Sequence, residues 1–190
     1  MKRWAGFLLA FVVLLGLHEG VHAATAAMYG ELEGVRPVSL VVSGIGVSAG
    51  VEVLFRTPVE GRSGARWAVI SGASNLVTVA LGLGLLWLGE GANRSLMGLA
   101  RVGVYYLTFL SLLVDPLNLS LGPFLYGGDA EGIAVGLGVS RYLVQGVSLV
   151  VLLVNRELVA QKLLPRYDVR TTSLLLRPWL PMAGGGRGAP

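Results

Sequence analysis

Four long apolar runs dominate the chain, separated by short stretches where polar residues and glycine gather. The first covers residues 4–27; it follows Lys2 and Arg3 and is broken by the ionisable His18, Glu19 and His22. A helix rises about 1.5 Å per residue, so this run is long enough to cross the roughly 30 Å hydrocarbon core of a bilayer. Residues 67–88, 96–114 and 130–154 form the second, third and fourth runs. The third ends at Asp115-Pro116. Proline has no N–H and its ring clashes with the preceding turn, so Pro116 is expected to break or kink that helix. Residues 89–95 and 118–128 read as connections. An alternative for the first run is a signal peptide, since Ala24-Thr25-Ala26 resembles a small-residue cleavage site.

Between the first two runs the pattern changes. Charges appear from Glu31 to Arg66, and residues 38–55 are rich in Val with brief polar interruptions. That pattern predicts a β-hairpin with strands at 38–43 and 47–55 and a turn near Gly44-Ile45-Gly46. The expected fold is an all-α polytopic membrane protein of about four transmembrane helices, with a small β-hairpin between the first and second. It forms one membrane-embedded domain over 1–164. A tail over 165–190 follows, proline- and glycine-rich at its end and expected to be disordered beyond Pro181.

Composition supports this reading. The chain has 190 residues, 54% hydrophobic and 14% charged, with mean hydropathy +0.70, against about 25% charged residues in soluble domains. An ordinary soluble enzyme and a disordered chain are both excluded. The net charge of +4 comes from basic residues at the two ends: Lys2 and Arg3, then Arg156, Lys162, Arg166, Arg170, Arg177 and Arg187. Such ends are retained on the cytoplasmic side, so both termini are expected in the cytoplasm, with the protein in the cell membrane. The scattered basic residues give no sign of a nucleic-acid partner.

With no cysteine in the chain, a metal would have to be held by His, Asp or Glu. The two histidines, His18 and His22, flank Glu19 in an H-E-x-x-H pattern. Four residues apart on a helix, they lie on one face about 6 Å along the axis and can reach one ion, while Glu19 stands beside that face as a general base. An ionisable residue inside hydrocarbon costs roughly 2.5 kcal/mol or more, so three together need a reason. A polar helix end near the headgroups is the plain alternative.

A catalytic zinc site takes three protein ligands, so the third should be a carboxylate from elsewhere. Asp115, Asp129 and Glu131 are the candidates. Asp129, after Gly127-Gly128, can equally be a helix cap; Asp115 can be a turn or kink residue, and Glu131 a first-turn carboxylate favoured by the helix dipole. Asn75 and Asn118 can hydrogen-bond a substrate backbone or an oxyanion, or join helices. Arg141, inside the fourth run, is expected to pair with Asp115 or Asp129 or to reach an interface. The Gly132-x-x-x-Gly136 spacing reads as close helix packing.

The chain resembles the site-2 protease family of intramembrane zinc metalloproteases, as a divergent and minimal member. The likeness rests on His18-Glu19-Gly20-Val21-His22-Ala23 in a first core helix, Ser71-Gly72-Ala73-Ser74-Asn75 opening a second, and Asn118 through Asp129 before a later one. Ala73 replaces the family's proline, and Ala130 follows Asp129 where glycine is usual. The resemblance implies Zn2+ held by His18, His22 and Asp129, with Glu19 as the catalytic residue and Asn75 and Asn118 on the substrate. It further implies a transmembrane or membrane-associated protein substrate, with the hairpin offering it a strand edge. A metal-binding or transport membrane protein without hydrolysis, or an inactive relative lacking the third ligand, are the alternatives.

Overall fold

The computed structural model describes residues 2–42, 45–95, 98–121 and 128–181. Helix α1 (Lys2–Met28) leads into an antiparallel hairpin of β1 (Leu32–Val42) and β2 (Ile45–Phe55). Helices α2 (Ala65–Ser95), α3 (Leu99–Leu121), α4 (Asp129–Leu137) and α5 (Arg141–Leu158) follow. A π-helical stretch, Val159–Leu163, and a final α-helical turn, Leu164–Arg166, extend α5. Four segments, Arg3–Met28, Ala65–Trp87, Leu99–Leu121 and Arg141–Arg166, are long and apolar enough to cross a membrane. This is the expected architecture. Its outer surface is apolar, with Leu8, Val12, Leu76, Val147 and Val150 all exposed, as helices apolar all round are when they meet lipid.

Three apolar clusters join the elements. Ala10, Leu14 and Leu110 lock α1 to α3. Leu86, Leu112, Val159 and Leu163 gather α2, α3 and the end of α5. Ala26, Trp67 and Ile70, with Leu32 and Phe55, seat the hairpin on the end of α1 and the start of α2. Between the first and third clusters α1 carries His18 and His22. Helix α4 lies directly on α2: a Cβ at Gly132 would overlap Ser71, and one at Gly136 would overlap the Ala68 backbone. The spacing of these two glycines is therefore a close-packing device, as expected.

Several boundaries differ from the sequence expectation. The hairpin starts at Leu32, six residues early, because a half-solvated sheet accommodates charges in pairs: Arg36 sits opposite Glu52 and donates to it at 2.8 Å. Of the expected turn, Gly44 lies outside the described residues, whereas Ile45 and Gly46 already belong to β2, paired with Val42 and Val41, so the second strand starts two residues early. Residues 89–95 are helical and not a connection; the chain turns at Gly98, whose φ of 63° is left-handed. The fourth run is two helices, divided at Gly138 (φ 67°). The Gly138 and Val139 N–H groups close the end of α4, and the Ser140 side chain caps α5 by accepting from the Tyr142 N–H. Uniform apolarity across this break hid it. Arg141 consequently heads α5, exposed, with its guanidinium over the Tyr142 ring.

Pro116 does not end α3, which continues to Leu121. Proline withholds the N–H that the Leu112 carbonyl needs four residues back. The buried Asn155 side chain on α5 supplies the missing donor at 2.9 Å. Asn155→Ala should therefore cost about 1–3 kcal/mol, seen as a lower thermal unfolding midpoint in detergent. In a Pro116→Ala background the restored N–H closes the helical bond and the Asn155→Ala penalty should shrink to less than half. Equal penalties in both backgrounds would remove Asn155 from this role.

Candidate metal centre

Helix α1 brings the two imidazoles together, and α4 brings a carboxylate to them. His18 Nε2 and His22 Nε2 are 3.1 Å apart. Asp129 Oδ2 lies 3.4 Å from His18 Nε2, and Oδ1 lies 3.3 Å from His22 Nε2. Three residues thus offer one donor atom each to a common point and can hold a metal ion. Bonds of about 2.0–2.1 Å to a tetrahedral ion set neighbouring donors roughly 3.3 Å apart. Taking one donor atom from each residue, the three atoms lie within 4.8 Å of one another, and each imidazole has one Asp129 oxygen at 3.3–3.4 Å, close enough for small side-chain shifts to bring them to that spacing.

The hydrogen bonds behind the rings fix which atoms face inward. His22 Nδ1 lies 2.7 Å from the Ile70 carbonyl, which can only accept, so Nδ1 carries the proton. His18 Nδ1 lies 3.2 Å from Asp115 Oδ2 and donates to that carboxylate. With both rings neutral, the Nε2 lone pair of each would point at the other ring and at Asp129. Three acceptors facing one another repel unless a cation or a proton stands between them. Ser74 Oγ, 2.9 Å from His22 Nε2, can donate from the edge. The Asn75 amide donates to Asp129 Oδ2 at 2.9 Å and to the Ser71 carbonyl at 3.0 Å.

This geometry separates the carboxylates that the sequence leaves open. Asp129 is a donor of the triangle; it is the first residue of α4, and the cap position belongs to Gly128. Asp115 is buried behind His18, on the ring nitrogen away from the triangle, and also accepts from the Thr78 hydroxyl. It positions the imidazole, the usual task of a carboxylate behind a histidine that holds a metal. His18 and Thr78 engage Asp115, and His18, His22 and Asn75 engage Asp129, while Arg141 heads α5 at an exposed position. Glu131 lies two residues after Asp129, in the same first turn of α4.

Glu19 is half-buried beside the triangle, within electrostatic reach of His18, His22 and Asp129, and of Glu52 on β2. Asn75 is at the centre, holding Asp129. Asn118 is not: it is exposed in the last turns of α3. Pro123 and Gly127 lie outside the described residues. Sequence reasoning passed over Ser74 and Thr78. Their signal was available, since Ser71, Ser74, Asn75 and Thr78 recur at helical spacing along one side of an apolar run.

Metal affinity should rank these roles. Asp129→Ala removes a donor and should abolish stoichiometric zinc binding to the folded protein in detergent. Asp115→Ala should weaken it by about 10–100-fold through loss of orientation. Competition against a chromophoric chelator measures both, and a greater loss in Asp115→Ala would exchange the two assignments.

No family model, curated protein or solved structure matches the chain.

Proposed function

We propose that the protein is an intramembrane metalloprotease that cleaves membrane-associated proteins with one zinc ion. The observation that carries this reading is the triangle of His18, His22 and Asp129 with Glu19 beside it, set within helices apolar enough to span a bilayer. A zinc ion held by those residues would supply Lewis-acid chemistry and lower the pKa of a water molecule. The chain's own groups do the rest. Asp115 and the Ile70 carbonyl hold the two imidazoles in the ligating tautomer. Asn75 keeps the Asp129 carboxylate in place. Glu19 takes the proton of the attacking water and passes it to the leaving amine.

A helical substrate has its peptide bonds engaged in its own ladder and must be held extended to be cut. The two-stranded sheet has an outer edge on β2, the strand that brings Glu52 near Glu19, and a peptide can add to such an edge by main-chain hydrogen bonds. An apolar cavity of about 610 Å³, walled by Leu76, Ile133 and Val147 and reaching Asn75 and Asp115, gives room for bulky aliphatic side chains on the other flank. Four crossings return both termini to one side, and their basic residues favour the cytoplasm.

Glu19→Gln keeps the shape and removes the base. In proteoliposomes it should lower cleavage of a quenched-fluorescent transmembrane peptide by about 10²–10⁴-fold while zinc content stays at the wild-type level. Unchanged turnover would take Glu19 out of the chemistry, and lost zinc would make it a ligand.

A further inference from the structure

Beyond Arg166 the chain turns back on itself. Asp168 adopts a left-handed φ of 55°, the Val169 N–H donates to the Leu164 carbonyl at 2.9 Å, and Leu174–Leu176 forms a 3-10 turn. The segment 168–181 is then strapped onto α5. Arg156, only 7% exposed, donates to the carbonyls of Leu174, Leu175 and Arg177. Its guanidinium also pairs with Glu157 and lies 3.8 Å over the Trp179 ring. Glu157 accepts from the backbone N–H groups of Trp179 and Leu180, at 3.1 and 3.0 Å.

The strap hides one leucine, Leu176, against the α2–α3–α5 cluster. It turns the others out: Leu174, Leu175, Trp179 and Leu180 are 74%, 71%, 58% and 64% exposed. Large apolar side chains fixed outward by hydrogen bonds to the backbone that carries them mark a contact surface. Its place in the fold says what covers it. The residues that grip it, Arg156 to Gln161, belong to the span Arg141–Arg166, and Leu153 and Val154, in the turn before, already face outward from α5. The surface is therefore continuous in depth with the lipid-facing side of α5. Trp87 and Lys162 stack at the same end of the bundle, 3.5 Å apart, and Arg170 and Arg177 are exposed on the strap. Trp, Lys and Arg collect where hydrocarbon gives way to headgroups.

We infer that residues 168–181 are an interfacial anchor: Leu174, Leu175, Trp179 and Leu180 enter the acyl layer while Arg170 and Arg177 hold the phosphates of anionic lipids. The arrangement also answers the Arg156 charge with carbonyls, where a bare guanidinium at that depth would be costly. It ties the end of α5 to one level of the bilayer. Nothing in it depends on the metal centre.

Because the chain has no cysteine, single-cysteine labelling needs no background removal. Full-length Leu175→Cys, spin-labelled in nanodiscs of phosphatidylcholine and phosphatidylglycerol, should be more accessible to oxygen than to a water-soluble nickel chelate. Leu153→Cys is the lipid reference and Glu33→Cys, on the hairpin, the aqueous one. A label at 175 that behaves like the one at 33 places the strap in water and overturns the inference; shielding from both reagents means a protein covers it and overturns it equally. Arg156→Gln in the Leu175→Cys background should release the strap, with a mobile spectrum and a shift toward nickel accessibility. Omitting phosphatidylglycerol should shift the label the same way, and identical values with and without it would overturn the role of the two arginines.

Discussion

Inside hydrocarbon a polar atom has no water to turn to, so each must be answered by another polar atom of the same chain. The way the helices meet follows from that constraint. His22 is answered by the Ile70 carbonyl and His18 by Asp115, which is answered in turn by Thr78. The carbonyl that Pro116 leaves without a donor is met by Asn155, and the Leu86 carbonyl receives Arg166 at 2.5 Å. Apolar side chains that would pack as well against lipid as against each other give little orientation to a bundle. These pairings give it one.

The same constraint explains what could be read from the sequence. The four apolar runs and the four-residue spacing of His18 and His22 are local facts, and both carried through to the structure. Asp129 was within reach because a carboxylate was the only donor type left once cysteine was absent. Other features required knowledge of what lies across an interface. Pro116 looks like a helix end until Asn155, far away in sequence, is found donating to Leu112. Ser74 and Thr78 look like ordinary small polar residues of a span until the histidine and the aspartate beside them are in view. Gly138 and Ser140 carry the signature of a helix end and a new start, but the apolar residues on both sides gave the stretch the look of one crossing. Residues 168–181 carry no pattern of their own because their order comes from Arg156 and Glu157, and the disorder expected beyond Pro181 lies outside the described residues.

Packing and chemistry share residues at the centre. Asp129 opens α4, and α4 reaches α2 only because Gly132 and Gly136 have no side chains to separate the backbones. The distance of the carboxylate from the two imidazoles is therefore set one and two turns away, at positions with no polar atom to suggest a role. Asn75 closes this arrangement from α2 with its amide on the carboxylate. Rigid elements on three sides hold the donors in a geometry that a loop would leave loose.

The depth of the histidines has a consequence for the fate of a cleaved chain. His18 follows sixteen residues after Lys2 in an unbroken helix, about 24 Å along the axis from the basic end. In the proposed orientation, with the basic end at one surface, the centre falls in the far half of the bilayer. Under the proposed function, a spanning segment cut at that level divides unequally. One piece keeps most of the apolar length and stays anchored, while the other carries a hydrophobic stub too short to hold it. Only the short-stubbed piece is free to leave, and it leaves from the side that faces the hairpin, so the position of two histidines along one helix gives the reaction a direction.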